Sequence, residues 1–239
     1  MDLLWILLAL LLPFMLHYFR AVAAPKMPVG PVIALSHGGG PMPLLNDPGH
    51  KSIIYSLRNR IPEILRLASP THRPSAIILV TAHWTTPSPV SVLASEDPAQ
   101  HLRMGRALAA LREDNVAIVG SGFASFHNLG IMRSLRGFAG NSLDKNWLAF
   151  KAKTDEWNAA LTEAVAPANA TERADRVARW RELPHADMMH PPRGGEHFMP
   201  LIVCAGAARE EDGAAKTYKD EYMGVDIFTY YWGAPAVST

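Results

Sequence analysis

The chain has 239 residues, enough for one domain with a single buried core and too few for two full enzymatic domains. Its 23 basic and 22 acidic side chains leave a formal charge of +1, so no overall field selects nucleic acid or polyanions, and small neutral or weakly charged partners are expected. Cys204, the one cysteine, sits in the apolar run LIVCAG, which excludes an internal disulfide and a thiolate zinc cluster and reads as a packed core position.

The first element is an apolar run from Leu3 to Phe19 without a charged residue, which at about 1.5 Å per residue nearly spans a bilayer core as a helix. No basic residue precedes it, Arg20 and Lys26 follow it, and Ala21 to Ala24 offer small residues for a cleavage site. Residues 1–24 are therefore expected to be a signal or a membrane anchor. This places the chain at a membrane or in the secretory pathway, with contact through residues 3–19; the alternative is a cytoplasmic chain with this run as a buried helix.

Beyond a proline-containing connector, Val32–Leu35 reads as a strand. His50–Ala68 has helical spacing, with Pro62 marking a kink or restart. Ala76–Ala82 is a continuous apolar run, as expected of a strand buried on both faces, and Pro89–Leu93 suggests another strand. Pro98–Arg112 reads as a helix, Val116–Val119 as a strand, and Trp147–Val165 and Thr171–Leu183 as helices. The order predicts a single α/β domain with a central, largely parallel or mixed sheet flanked by helices.

Three histidines stand just past apolar strands: His37, His83 and His127. Ligands of open α/β sheets bind at the carboxyl ends of the strands, so these side chains are expected to converge on one crevice as a metal site. Gly38–Gly40 and Gly120 with Gly122 are read as clearance for the ion beside His37 and His127. The first glycine run is not a phosphate loop, because Pro41 and Met42 replace the required Lys-Ser/Thr. It also matches an HGGG oxyanion motif, but no Gly-x-Ser-x-Gly elbow occurs, so an esterase-type hydrolase is the weaker alternative. Glu196 and His197, at the mouth of an apolar segment, offer further ligands. Neutral imidazoles with one carboxylate suit Fe(II) or Zn(II). His50, His72 and His101 read as solvated positions at turns and on a helix face. His185 and His190 read as loop residues or as the lining of an entrance, and Trp84 and Asn128 as neighbours that orient ligands.

Taken in order, Ser36–Met42 (SHGGGPM), Thr81–Trp84 (TAHW), Gly120–Leu129 (GSGFASFHNL) and Gly195–Leu201 (GEHFMPL) resemble the signature segments of class III extradiol ring-cleavage dioxygenases, in the branch of DOPA 4,5-dioxygenase. The resemblance covers roughly residues 29–233. It implies an oxygenase that opens a catechol ring beside its two hydroxyls with O2, using one Fe(II) per chain, or Zn(II) in some members. It also implies metal ligands His37, His83 and either His197 or Glu196. His127 stands at the same centre, as a ligand or as the catalytic acid/base. The chain departs from the pattern at Ala94–Asp97, where the family carries several dozen further residues that include an Asp-His-Gly motif with its acid/base histidine. That gap leads to an expectation of weak or absent ring cleavage, and the alternative reading is a non-catalytic, membrane-tethered metal-binding relative.

Overall fold

Runs of β-branched and apolar residues build three parallel strands at the centre of the molecule. In the computed structural model, which describes residues 28–83, 96–136 and 144–237, these are β1 (Val32–Ser36), β2 (Ala76–Thr81) and β3 (Val116–Gly122). β3 lies between the other two, with Val32 opposite Ile118 in β1 and Ile78 opposite the same residue in β2. A hairpin of β4 (Lys216–Tyr222) and β5 (Val225–Trp232) adds antiparallel to β1, giving the sheet order β2-β3-β1-β5-β4. The single mixed sheet flanked by helices matches the expected fold class.

Side chains alternate between the two faces of the sheet with period two. Val32, Ala34, Val80 and Ile118 join a large core with α3 (Pro98–Ala109), α5 (Lys145–Val165), α6 (Ala170–Ala178) and α8 (Met199–Ala207). Ile33, Leu35, Ala117 and Val119 pack on the other side against Ile61, Ile64 and Leu65 of α2 (Arg60–Ile64) and its end. β2 is an edge strand, and Ile77 and Leu79 remain 48% and 55% exposed. The expectation of burial on both faces therefore fails for β2.

The single helix expected over His50–Ala68 divides at Asn59 into α1 (Lys51–Arg58) and α2, and Pro62 falls in the first turn of α2, where its missing N–H costs no helical bond. Pro98 opens α3 behind Asp97, whose carboxylate accepts the Ala99 N–H at 3.0 Å. The helix expected to run to Leu183 ends at Ala178 and continues as a short 3-10 turn over Trp180–Glu182. Among the described residues, the other α-helices are α4 (Leu129–Arg136) and α7 (Ala186–Met189). The suggested strand over Pro89–Leu93 lies outside the described residues.

Among the described residues, no helix is long and apolar enough to cross a membrane. This corrects the expectation of a membrane-associated or secretory chain; the run from Leu3 to Phe19 on which it rested, and the signal or anchor assigned to residues 1–24, lie outside the described residues.

The contact that matters for the site is between α8 and β3. A Cβ added at Gly120 would stand 2.6 Å from Cys204 Sγ and 2.7 Å from the Pro200 carbonyl oxygen, and one at Gly122 would stand 2.5 Å from the His197 carbonyl oxygen. These glycines make room for the α8 backbone, not for an ion beside His127. Gly120→Ala is expected to cost about 1–3 kcal/mol by forcing α8 off the sheet. Denaturant unfolding should show a lower midpoint at unchanged slope.

Candidate functional site

Because β1, β2 and β3 are parallel, their carboxyl ends share one edge of the sheet. His37 follows β1, His83 lies two residues beyond β2, and His127 lies on the loop after β3. The loop leading into α8 brings Glu196 and His197 to the same edge. Phe123 N–H donates to the His197 carbonyl at 2.9 Å, which ties this loop to the end of β3.

All four histidines expected at the metal site meet there, with His197 as the hub. Its Nε2 lies 2.9 Å from His83 Nε2, and its ring stacks on His127 with centroids 3.6 Å apart. The His37 ring meets it edge-on at 5.1 Å. Glu196 Oε1 stands 3.9 Å from His197 Nε2 and 3.6 Å from His127 Nδ1. The tightest set is His83, Glu196 and His197, whose ligand atoms all lie within 4.8 Å of one another. Glu196 and His197 are thus not alternatives in space, since both belong to this set.

The donor set fits a divalent ion. Two imidazole nitrogens facing each other at 2.9 Å cannot both carry protons. Burial pushes His197 down to about 2, helped by His127, His37, His83 and His190, and it holds His37 at about 4, helped by His127 and His83. His127 is also lowered by burial, against the opposing pull of Glu196. Neutral imidazoles crowded beside one carboxylate are the ligands that Fe(II) or Zn(II) takes. His37 N–H donates to the Gly122 carbonyl at 3.0 Å, and its Nδ1 is paired with Ser121 Oγ at 3.1 Å, which leaves Nε2 as the other ring nitrogen. Ser121 lies within the β3 ladder rather than on a sharp turn, so this hydroxyl–imidazole pair is not a nucleophile elbow.

Several residues take roles other than those expected. His50 is 3% exposed rather than solvated: its Nδ1 lies 2.7 Å from Asp47 Oδ2, and its Nε2 accepts the Gly39 N–H at 2.9 Å. A Cβ on Gly38 would meet His50 at 2.7 Å, and one on Gly39 would meet Tyr222 Oη at 2.7 Å, so those glycines clear space for His50 and Tyr222 rather than for an ion. His101 is buried in α3 with Nδ1 on the Asp97 carbonyl, and His72 is exposed as expected. His190 does not line an entrance but is fully buried, with Nε2 donating to the Ala124 carbonyl at 2.9 Å. His185 pairs with Glu156 at 2.7 Å. Asn128 caps α4 by accepting from Gly130 and Ile131 N–H, and it donates to the Met188 carbonyl. Trp84 lies outside the described residues.

A clamp not anticipated from the sequence holds the loop that carries Glu196 and His197. Glu96 accepts the Gly195 N–H at 2.8 Å and pairs with Arg181 at 2.8 Å, and Arg181 also donates to the His190 carbonyl while lying 3.9 Å over the Trp180 ring. Glu96, just ahead of α3, is thus bonded to the loop that carries Glu196 and His197.

No protein-family model matches the chain. It is 45% identical to dioxygenase tasH of Hapsidospora irregularis over 294 residues, covering 90% of this chain and 89% of that protein. It is 29% identical to the 4,5-DOPA dioxygenase extradiol of Beta vulgaris over 143 residues, covering 59% of this chain and 47% of that one. Among solved structures, the uncharacterized protein JW3007 of Escherichia coli K12 has the same fold, with a TM-score of 0.55 at 20% identity over 84% of this chain and 99% of that chain.

His190 gives the site region a pH signature. Burial holds it at about 3, against about 6.5 for an unperturbed histidine, so between those limits the unfolded chain binds the extra proton. Stability conferred by the neutral ring is therefore complete above about 6.5 and is lost as pH falls toward 3, at ~1.4 kcal/mol per pH unit. His190→Gln, which keeps a donor but removes the titration, is expected to flatten the pH dependence of the unfolding free energy by that slope below about pH 6. Urea unfolding across the range checks it, and an unchanged slope would assign the acid sensitivity to other groups.

Proposed function

The chain belongs to the class III extradiol dioxygenase family, and on that premise we propose that it is a metal-dependent dioxygenase of the DOPA 4,5-dioxygenase branch, acting on a catechol-type ring with O2, whose ring cleavage is impaired by an internal shortening. The observation that carries the metal reading is the set of His83, Glu196 and His197 donors within 4.8 Å, with His37 and His127 packed against His197.

In this reading His83, His197 and Glu196 hold one Fe(II) or Zn(II), with His37 as a further ligand. A bound Fe(II) supplies open positions for the two catechol oxygens and O2 and the electron transfer between them. The protein's own contribution is positioning and proton handling. Burial keeps His37 and His197 neutral and available as ligands, and the loop contacts at Phe123, Gly195 and Gly39 fix the loops that carry them before any ligand arrives. His127 is the group that takes and returns protons between substrate and oxygen. Glu196 beside it draws its proton affinity up against the burial that lowers it, which moves the ring toward the range useful for acid/base work.

The impaired activity is supported by the chain itself, which carries no Asp-His-Gly and passes from Leu93 to Pro98 through four residues. The alignment with the Hapsidospora irregularis relative runs over more positions than this chain has residues, as an internal block without a counterpart here requires. The exposed Ile77 and Leu79 on edge strand β2 are the apolar surface such a block would leave uncovered.

Anaerobic reconstitution with Fe(II) and desalting is expected to leave one ion per chain. His197→Ala should lower the retained metal at least tenfold, on the scale of a lost ligand. Exposed to air with L-DOPA or another catechol, the loaded protein is expected to form the yellow semialdehyde slowly or not at all. Rapid product would overturn the impairment, and failure to retain iron or zinc would overturn the metal reading.

A further inference from the structure

We propose that Asp47 and His50 form a positioning dyad that fixes the glycine turn behind His37, so that the first histidine of the site is held by a second imidazole that touches neither ion nor substrate. This rests on the reading of His37 as part of the metal centre.

The hydrogen bonds around His50 determine where its proton sits. Nε2 accepts the Gly39 N–H at 2.9 Å and so carries no hydrogen. The ring proton is therefore on Nδ1, which donates to Asp47 Oδ2 at 2.7 Å. The same carboxylate oxygen accepts the Gly49 N–H at 3.0 Å, which anchors it at the start of its own turn. Both ring nitrogens are thus engaged, and His50 is not a base for substrate. It is 3% exposed, and the Tyr222 ring lies against it with centroids 4.5 Å apart.

The turn beside it is shaped to accept this ring. Gly38 has φ +81°, which disfavours any side chain, and a Cβ there would meet His50 Cδ2 at 2.7 Å and Ile53 at 3.1 Å. A Cβ on Gly39 would meet His50 Nε2 at 3.1 Å. Two glycines in succession let an imidazole reach a backbone N–H two residues after His37, whose own N–H is already fixed to the Gly122 carbonyl. His37 is therefore pinned from both sides, by β3 before the turn and by His50 within it. A carboxylate–imidazole pair used in this way aims a ligand through the main chain.

The test compares His50→Gln, His50→Phe and Asp47→Ala with the wild type. Glutamine offers an acceptor for Gly39 and a donor for Asp47, whereas phenylalanine fills the space and offers neither. Zn(II) affinity by chelator competition is expected to fall 10–100-fold in His50→Phe and about tenfold in Asp47→Ala, and to recover most of the way in His50→Gln. In the metal-free protein, hydrogen exchange of the Gly39 amide should accelerate at least tenfold in His50→Phe and stay near the wild-type rate in His50→Gln. A purely structural histidine would lower the melting temperature of the variants while leaving Zn(II) affinity unchanged in those that fold, and that result overturns the proposal. Should His50→Phe fail to fold, Asp47→Ala decides by the same two measurements. If the wild type binds no Zn(II), the metal reading fails by itself. Gly39 exchange then decides the dyad, which is overturned by equal rates in wild type and variants.

Discussion

At Gly120 and Gly122 strand β3 presents no side chain to α8, and the His197 carbonyl accepts the Phe123 N–H at 2.9 Å. Backbone rests on backbone there, and the position of every ligand candidate depends on it. Glu196 and His197 belong to the turn that enters α8, while His37, His83 and His127 belong to the strand ends. A methyl group on either glycine would lie within 2.7 Å of the helix segment and separate the two halves of the site. Cores are packed too tightly to absorb such a displacement locally.

The far end of the same helix is fixed by charge. α8 is buried along nearly its whole length, so its last carbonyls have no water to bond and need partners from the protein. Two arginines supply them: Arg112 donates to the Ala207 carbonyl, and Arg173 donates to those of Ala205 and Ala208. Neither guanidinium is left uncompensated. Arg112 forms a two-point pair with Asp212 at 2.6 and 2.7 Å, and Arg173 also bonds the Pro167 and Ala168 carbonyls while lying over Trp232. The helix is thus gripped through its C-terminal carbonyls and seated on glycines near its start. That makes its N-terminal turn a rigid platform for two ligand candidates.

Legibility in the sequence followed physical type. The parallel strands announced themselves as β-branched apolar runs, and with them the strand-end positions of His37, His83 and His127. The hairpin of β4 and β5 did not, because Lys216, Lys219, Asp220 and Glu221 break the apolar alternation. The inward-facing Asp220 is buried against Ser56 and Arg60, which no periodicity reveals. Its turn also hides, since Met223 with φ +54° takes a place where Asn or Asp would have signalled it. The two glycine motifs were legible as close approaches but not as to what approaches: α8 at Gly120 and Gly122, His50 and Tyr222 at Gly38 and Gly39. His50 was missed for the same reason, because burial is a tertiary fact and a histidine beside Pro48-Gly49 looks like a turn residue. Glu96 carried no signal at all, since its partners Arg181 and Gly195 lie far along the chain.

What holds the imidazoles is distributed over β1, β3, α8 and the loops around Gly39 and Gly195, and all of it is present in this chain. Glu96, just ahead of α3, contributes too, since it bonds the loop that carries Glu196 and His197. The placement of the rings is thus shared among elements far apart in the chain. Three strand ends and one helix entrance thus gather four histidines and a carboxylate at one edge of the sheet, each held by contacts that lie elsewhere in the chain.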